Sequence, residues 1–298
     1  MNAGTSRLVV VTGASSGIGR ETVRQFARAG WDCLAGVRGD DARAAWIAAA
    51  TTDRAVARHV VPVTLDVTID ADRAGLVREV EARGGKLHAL VNAAGIASPG
   101  AFAFGDAEAD RNVIETNLLG PMALARQLLP SLRAGANDQS NLARTTIIVN
   151  VASVAGIASM PWQSSYHAAK FGLVGWSDAA GHELRHEGIR VVTVLPGTVR
   201  TSMLEKADQL LNEAIRALPH TAPKPYRDGL TRFRRSARLA ARFATTPHVV
   251  AMAIVALASR QDPPTRVIIG ADALLIRAVV TFLPHGMAMS ALRRLLGA

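Results

Sequence analysis

The sequence predicts an α/β domain built on one doubly wound, seven-stranded parallel sheet with helices on both faces. Two observations carry this. Short β-branched runs alternate with longer Ala-, Arg- and Glu-rich stretches through most of the 298 residues, and a glycine cluster follows the first run directly. A hydrophobic content of 49% is enough to fill the core of such a domain. No linker-like stretch divides the chain, so residues 1–298 are expected to form a single domain.

The strands are expected at 8–11, 33–37, 60–65, 89–92, 146–151, 190–195 and 267–269. Each is a short, nearly continuous apolar run, the pattern of a strand covered on both faces. Helices are expected near 17–29, 41–50, 70–83, 110–134, 163–187 and 247–259. Residues 135–145 are polar and contain Gly and Asn, and read as a surface loop before the fifth strand. After the sixth strand, residues 202–246 form a long excursion. It mixes Leu204, Leu210, Leu211, Ile215 and Leu218 with Arg232, Arg234, Arg235, Arg238 and Arg242. An insertion of that length at the carboxyl edge of a parallel sheet reads as a substrate lid. The tail, 272–298, is rich in Leu, Ile and Val with basic residues only at Arg277, Arg293 and Arg294. Its apolar surface must be covered by the domain, by a neighbouring subunit, or by a membrane surface.

Composition narrows the setting. The one cysteine, Cys33, lies in an apolar run, so an intrachain disulfide is excluded and a buried, unreactive thiol in a reducing cytoplasm is expected. No signal-peptide pattern opens the chain, and no run of about 20 apolar residues is long enough for a membrane span. The formal net charge of +10 attracts nucleic acid, anionic lipid and phosphorylated ligands alike. No groove-reading or base-stacking motif accompanies it, so no nucleic-acid partner is expected. His182 and His186 form an i,i+4 pair without a third ligand in view, and no metal is expected.

The first run leads into Thr12-Gly13-Ala14-Ser15-Ser16-Gly17-Ile18-Gly19, which opens a helix. Glycines there allow a sharp turn and close backbone approach, while the helix N-terminus offers free N–H groups to a pyrophosphate. A Rossmann-type nucleotide site follows from that placement. The spacing, Gly13-x-x-x-Gly17-x-Gly19, resembles that of the short-chain dehydrogenase/reductase family. The resemblance continues at Asp66-Val67 after the third strand and at Asn92-Ala93-Ala94-Gly95 after the fourth, where Ala93 replaces an asparagine of the family pattern. Beyond the sixth strand, Pro196-Gly197-Thr198-Val199-Arg200-Thr201 is similar to the family's PGxxxT element, which implies contact with the nicotinamide side of a dinucleotide. At the end of the second strand stands Gly36-Val37-Arg38, with no acid to bond the adenine ribose hydroxyls. A guanidinium there suits a 2′-phosphate, which favours NADP(H), with NAD(H) the alternative.

Tyr166 and Lys170 lie four residues apart and project from one helix face. In the family this chain resembles, Tyr166 is the general acid/base, and Lys170 holds the nicotinamide ribose and lowers the tyrosine pKa. Ser153 stands at a strand end and is implied to bond the substrate oxygen, and Asn117 to hold a water that links the lysine to solvent. His167 points about 100° around the helix from Tyr166 and reads as structural. Met160, Trp162, Ile157, Leu204 and Leu211 could line an apolar pocket for a hydrophobic carbonyl or secondary alcohol. The Ala35-Gly36-Val37-Arg38 strand end and the apolar tail are similar to the steroid- and retinol-active branch, which implies a steroid-, retinoid- or lipid-like substrate. A homo-oligomer through the helices near 110–134 and 163–187 is implied as well, in the cytoplasm or at a membrane periphery. Two other readings stay open: a catalytically silent cofactor sensor of the same fold, and a peripheral membrane protein.

Overall fold

The computed structural model describes residues 7–138 and 145–295. All seven strands are parallel: β1 (Leu8–Val11), β2 (Asp32–Val37), β3 (Val60–Thr64), β4 (Ala89–Asn92), β5 (Thr146–Val151), β6 (Ile189–Pro196) and β7 (Arg266–Ile269). Their order is β3-β2-β1-β4-β5-β6-β7, so the winding reverses between β1 and β4. A crevice opens at that point on the carboxyl edge, where parallel α/β sheets bind ligands.

Period-two alternation splits each strand between two cores. Val9 and Val11 of β1 join Val91, Val149 and Val194 under α1 (Gly17–Arg28), α2 (Asp40–Ala50), α3 (Arg54–His59) and, much later in the chain, Val250 and Ile254 of a helix at Pro247–Ala258. Val10 joins Leu34, Leu90 and Ile148 on the other face, against Leu76 and Val80 of α4 (Asp70–Glu81) and Leu124, Leu128 and Leu132 further on. Cys33 is free and buried, and burial drives its thiol far above the ordinary pKa.

The helix expected at 110–134 is three pieces: α5 (Ala107–Ile114), a π turn at Glu115–Leu119, and α6 (Gly120–Ala136). Pro121 explains the break, because it has no N–H to give the Asn117 carbonyl four residues back. The expected loop at 135–145 is also corrected at its start. Gly135 is a buried helical residue, where a Cβ would meet the Leu87 carbonyl oxygen at 2.1 Å. The rest of that loop, 139–144, lies outside the described residues.

After α7 (Ser164–Leu184), the excursion at 202–246 is a helical pair, α8 (Ser202–Ala217) and α9 (Lys224–Ala241), followed by α10 (Pro247–Ala258). Asp208 of α8 accepts from Arg234 at 2.9 Å and Arg238 at 2.8 Å and clamps the two helices together. The tail is a second pair, α11 (Ala271–Phe282) and α12 (His285–Leu295). Among the described residues no helix is long and apolar enough to cross a membrane.

Candidate active site

The glycine turn is fitted to its neighbours atom by atom. Gly13 has φ +66, and a Cβ there would stand 2.7 Å from Ala94 Cα, so the turn requires glycine twice over. A Cβ on Gly19 would sit 2.4 Å from the Gly13 carbonyl oxygen. Thr12 Oγ1 accepts from the Ala93 and Ala94 amides at 3.0 Å each, which joins the turn after β1 to the turn after β4. Trp46 of α2 donates its indole N–H to the Ala14 carbonyl at 3.0 Å. Nothing local in the sequence marks that contact.

Around this turn lies a groove of about 350 Å³. Gly13, Ser15, Ser16, Gly17, Ile18, Gly19, Arg38, Asp66, Val67, Ala93, Ala94, Gly95 and Thr201 line it, all anticipated from the sequence. Its outer wall is α8, through Ser202, Met203, Lys206, Ala207 and Leu210, and Ser202 Oγ lies 3.1 Å from Ser16 Oγ. Lys206, a second cation on the groove, was not foreseen. Nor did the sequence show that Asn92 turns away. Its amide donates to Asn150 Oδ1 at 2.8 Å inside the sheet, and Asn150 donates in turn to Ser177 Oγ. Val199 is likewise a core residue, and Pro196 ends β6 buried, so neither lines the groove.

Arg38 stands 3.6 Å from Asp66, with 62% of its side chain exposed to the groove and solvent. Burial works to raise the Asp66 carboxyl, but hydrogen bonds from the Thr68 hydroxyl and amide, with the Arg38 charge, outweigh it and hold the pKa below the usual range. At the other end, Gly197 donates to the Ile269 carbonyl and Thr198 donates to Asp272 Oδ2 at 2.6 Å. Asp272 thus fixes the loop after β6, a role visible only once β7 and α11 are placed.

Ser153, Tyr166, Lys170 and Asn117 come together at the carboxyl ends of β4 and β5. Tyr166 shares a hydrogen bond with Ser153, whose Oγ also accepts from the Ala155 amide at 3.1 Å. Lys170 Nζ donates to the Val151 carbonyl at 3.0 Å and lies 5.7 Å from the Tyr166 ring centre. Asn117, wholly buried on the π turn, brackets Ile96: its Oδ1 accepts from the Ile96 amide and its Nδ2 donates to the Ile96 carbonyl, both at 2.8 Å. Burial raises the Tyr166 phenol above its ordinary value, and the Ser153 bond offsets only part of that. The burden falls on the lysine, which burial pushes down to about 8.

His167, beside Tyr166, is a clasp. Its Nε2 accepts from the Met160 amide at 2.9 Å and its Nδ1 donates to the Ala155 carbonyl at 2.9 Å, closing the loop between Ser153 and Tyr166. In that loop Met160 and Trp162 pack with Leu211, Leu218, Leu230 and Phe233 of the α8–α9 pair and its connection. Three of the residues expected to line an open pocket, Met160, Trp162 and Leu211, therefore form a filled contact between the α8–α9 pair and this loop, while Ile157 packs separately with Leu173 and Val174. Trp162 adopts φ +70 and lies against Gly229, where any Cβ would meet its ring at 2.4 Å. The expected His182–His186 pair is exposed, and among the described residues no group of three possible ligands gathers.

A parallel sheet with a glycine turn at its switch point, and a tyrosine–lysine pair at the strand ends, defines an oxidoreductase built for a nicotinamide dinucleotide. Residues 7–211 match the family described as short chain dehydrogenase, and the chain belongs to that family. It is 34% identical, over 70% of its length and 77% of the relative's, to a protein named as a ketoacyl reductase of the monensin polyketide synthase in Streptomyces virginiae. It is 31% identical to dehydrogenase/reductase SDR family member 7B of Bos taurus over 66% of this chain, but only 59% of that protein. Among solved structures, an actinorhodin polyketide ketoreductase variant with NADPH superposes with a TM-score of 0.74 at 26% identity, over 92% of this chain and 99% of that one. A Burkholderia phymatum short chain dehydrogenase/reductase with NAD superposes at 0.72 and 25% identity, over 94% and 93% of the two chains. The protein is thus an oxidoreductase of CH–OH and C=O groups in a family that uses nicotinamide cofactors.

Proposed function

We propose that this protein is an NADP(H)-preferring reductase or dehydrogenase of a bulky, hydrophobic ketone or secondary alcohol, with Tyr166, Ser153, Lys170 and Asn117 as its working residues. The observation that carries this reading is the cluster of half-buried Ser153 and Tyr166 with buried Lys170, opening beside a groove whose glycine turn fits a dinucleotide. Lys170 supports the fit: its three N–H donors are served by the single acceptor Val151, which leaves donors for ribose hydroxyls. Gly13, Ser15, Ser16, Gly17, Ile18 and Gly19 would hold the pyrophosphate, Arg38 the 2′-phosphate, and Asp66 and Val67 the adenine. Gly95 and, from the loop after β6, Gly197 and Thr201 would hold the nicotinamide end.

The bound nicotinamide supplies or accepts the hydride at the substrate carbon. What the chain contributes is proton handling and position. Ser153 donates to the substrate oxygen as negative charge grows there. Tyr166, kept as a phenol by burial, gives that oxygen its proton, or takes it back in the oxidative direction. Asn117 fixes the Ile96 backbone against Gly95, beneath the lysine. The α8–α9 pair acts as the lid, since it forms one wall of the groove and packs on the loop through Trp162. Met203, Ala207 and Leu210 of α8 give the groove an apolar wall that suits a hydrophobic substrate, and the relatives named as ketoacyl reductases suit a ketone. Helices α6 and α7, with Leu119 and Phe171 outward on or beside them, would form a homo-oligomer contact. The test is a nicotinamide-absorbance assay with both cofactors against bulky apolar ketones and small polar sugars. Turnover of the ketones with NADPH is expected, and preference for the sugars or for NADH would overturn the corresponding part of the reading.

A further inference from the structure

The α11–α12 hairpin takes no part in the chemistry above, and one of its faces is uncovered. Ala273, Ile276 and Val280 of α11 turn inward, buried or half-buried. On the outer side Leu274, Leu275 and Phe282 are 55%, 54% and 82% exposed, and Ala278 completes one continuous helical stripe. Just past the turn, Met287 of α12 is 60% exposed. Past Asp272 the hairpin carries formal charge of one sign: 273–298 holds no Asp or Glu, and Arg277, Arg293 and Arg294 are exposed and without an ion-pair partner among the described residues.

We propose that this hairpin docks on an anionic lipid surface. An exposed apolar stripe on a hairpin whose charges past Asp272 are all arginines suits a membrane interface, with the side chains of Leu274, Leu275 and Phe282 among acyl chains and the guanidinium groups at phosphates. A second copy of the chain fits the same face poorly. A two-fold contact of hairpin on hairpin would set arginine against arginine, with no Asp or Glu in 273–298 to offset it. The hairpin is also attached to both loops of the candidate site. Asp272 begins it and holds Thr198, and Met289 Sδ lies 3.7 Å from Ser159 Oγ in the loop after Ser153. Docking would therefore set these loops beside the bilayer, where hydrophobic ketones partition.

The experiment is sedimentation of the full chain with phosphatidylcholine vesicles and with vesicles containing a quarter phosphatidylglycerol, at low and high salt. Binding is expected to the anionic vesicles and to weaken with salt. Replacing Arg277, Arg293 or Arg294 by Gln should lower the partition coefficient about fivefold each. Phe282→Glu should lower it about tenfold or more, with the far-ultraviolet circular dichroism unchanged. Protein that stays in the supernatant with anionic vesicles overturns the proposal, as does binding indifferent to these substitutions. So does a particle mass, by light scattering, that halves in Phe282→Glu, because the stripe would then be covered by a second copy. None of these readouts requires turnover, so the lipid proposal and the reductase reading fail separately.

Discussion

Asp272 Oδ2 accepts the Thr198 amide at 2.6 Å, and a Cβ on Gly197 would fall 2.0 Å from the Asp272 Oδ1 atom. The first turn of α11 and the loop after β6 are therefore cut to fit each other. A charge-assisted bond of this kind contributes about 1.5–3 kcal/mol when its partner is well ordered. Asp272→Ala frees the 197–201 loop, and we expect the affinity for nicotinamide cofactor to fall about tenfold. Fluorescence titration checks this. An unchanged affinity with only a lower Tm would make Asp272 a stabilising residue with no part in cofactor binding.

Tyr166 and Lys170 set the pH behaviour. Burial holds the phenol protonated through neutral pH, so the proton needed for carbonyl reduction is in place, whereas alcohol oxidation needs the phenolate and should rise with pH. Burial moves Lys170 to about 8 from 10.5. Between those values the unfolded chain binds more protons than the folded one, so stability contributed at this site rises with pH across that window. Unfolding midpoints compared across that window should show a component that rises with pH in the wild type and is missing in Lys170→Met, so the difference between the two grows with pH. Tyr166→Phe should lower kcat by about 10²–10⁴ while cofactor still binds, and near-normal turnover in that variant would sink the assignment.

Local rules made part of this architecture readable. The turn after β1 requires glycines at fixed offsets, and Tyr166 and Lys170 share a helix face by spacing alone. Residues acting through tertiary contact were not readable. Trp46 reaches Ala14 from another helix, Asp272 reaches Thr198 from the far end of the chain, and His167 closes a loop that exists only once folded. Asn92 shows the limit within a strand: it and Asn150 are register partners on β4 and β5, and only the pairing tells that its amide faces the sheet neighbour and not the groove. Gly135 looked like a loop residue by composition, yet it is the close approach of the Leu87 carbonyl that requires it inside α6.

Arg38 has one partner in this structure, Asp66, and ample exposure toward the groove. A 2′-phosphate would compete for the same guanidinium, and its two negative charges outbid a single carboxylate. Arg38→Leu is expected to raise KM for NADPH by about 10- to 100-fold and to leave KM for NADH nearly unchanged. Equal effects on both cofactors would mean that Arg38 supports the strand end and does not read the phosphate.

The His167 clasp works only in one protonation state. Nδ1 carries the hydrogen given to the Ala155 carbonyl, so Nε2 must be bare to accept from the Met160 amide. A proton on Nε2 would face that amide N–H and open the clasp. Burial opposes this by lowering the imidazole pKa from 6.5, and the Ala155 bond only partly counters it. The nearest titratable ring is Tyr166, 6.4 Å away and uncharged as a phenol. Below pH 6.5 the unfolded chain takes up a proton that the folded one refuses, so stability from this site falls as pH falls from 6.5 through the lowered folded value. His167→Leu should lose about 2–4 kcal/mol at pH 7 through the two unpaired backbone groups, and its unfolding midpoint should slope less between pH 7 and 5 than that of the wild type. In catalysis the clasp shapes the loop and gives no proton. Hence KM for substrate should rise by more than kcat falls, and His167→Gln, whose amide can both donate and accept, should recover part of that loss. A variant that loses kcat alone would show His167 acting on Tyr166 itself and not on the loop.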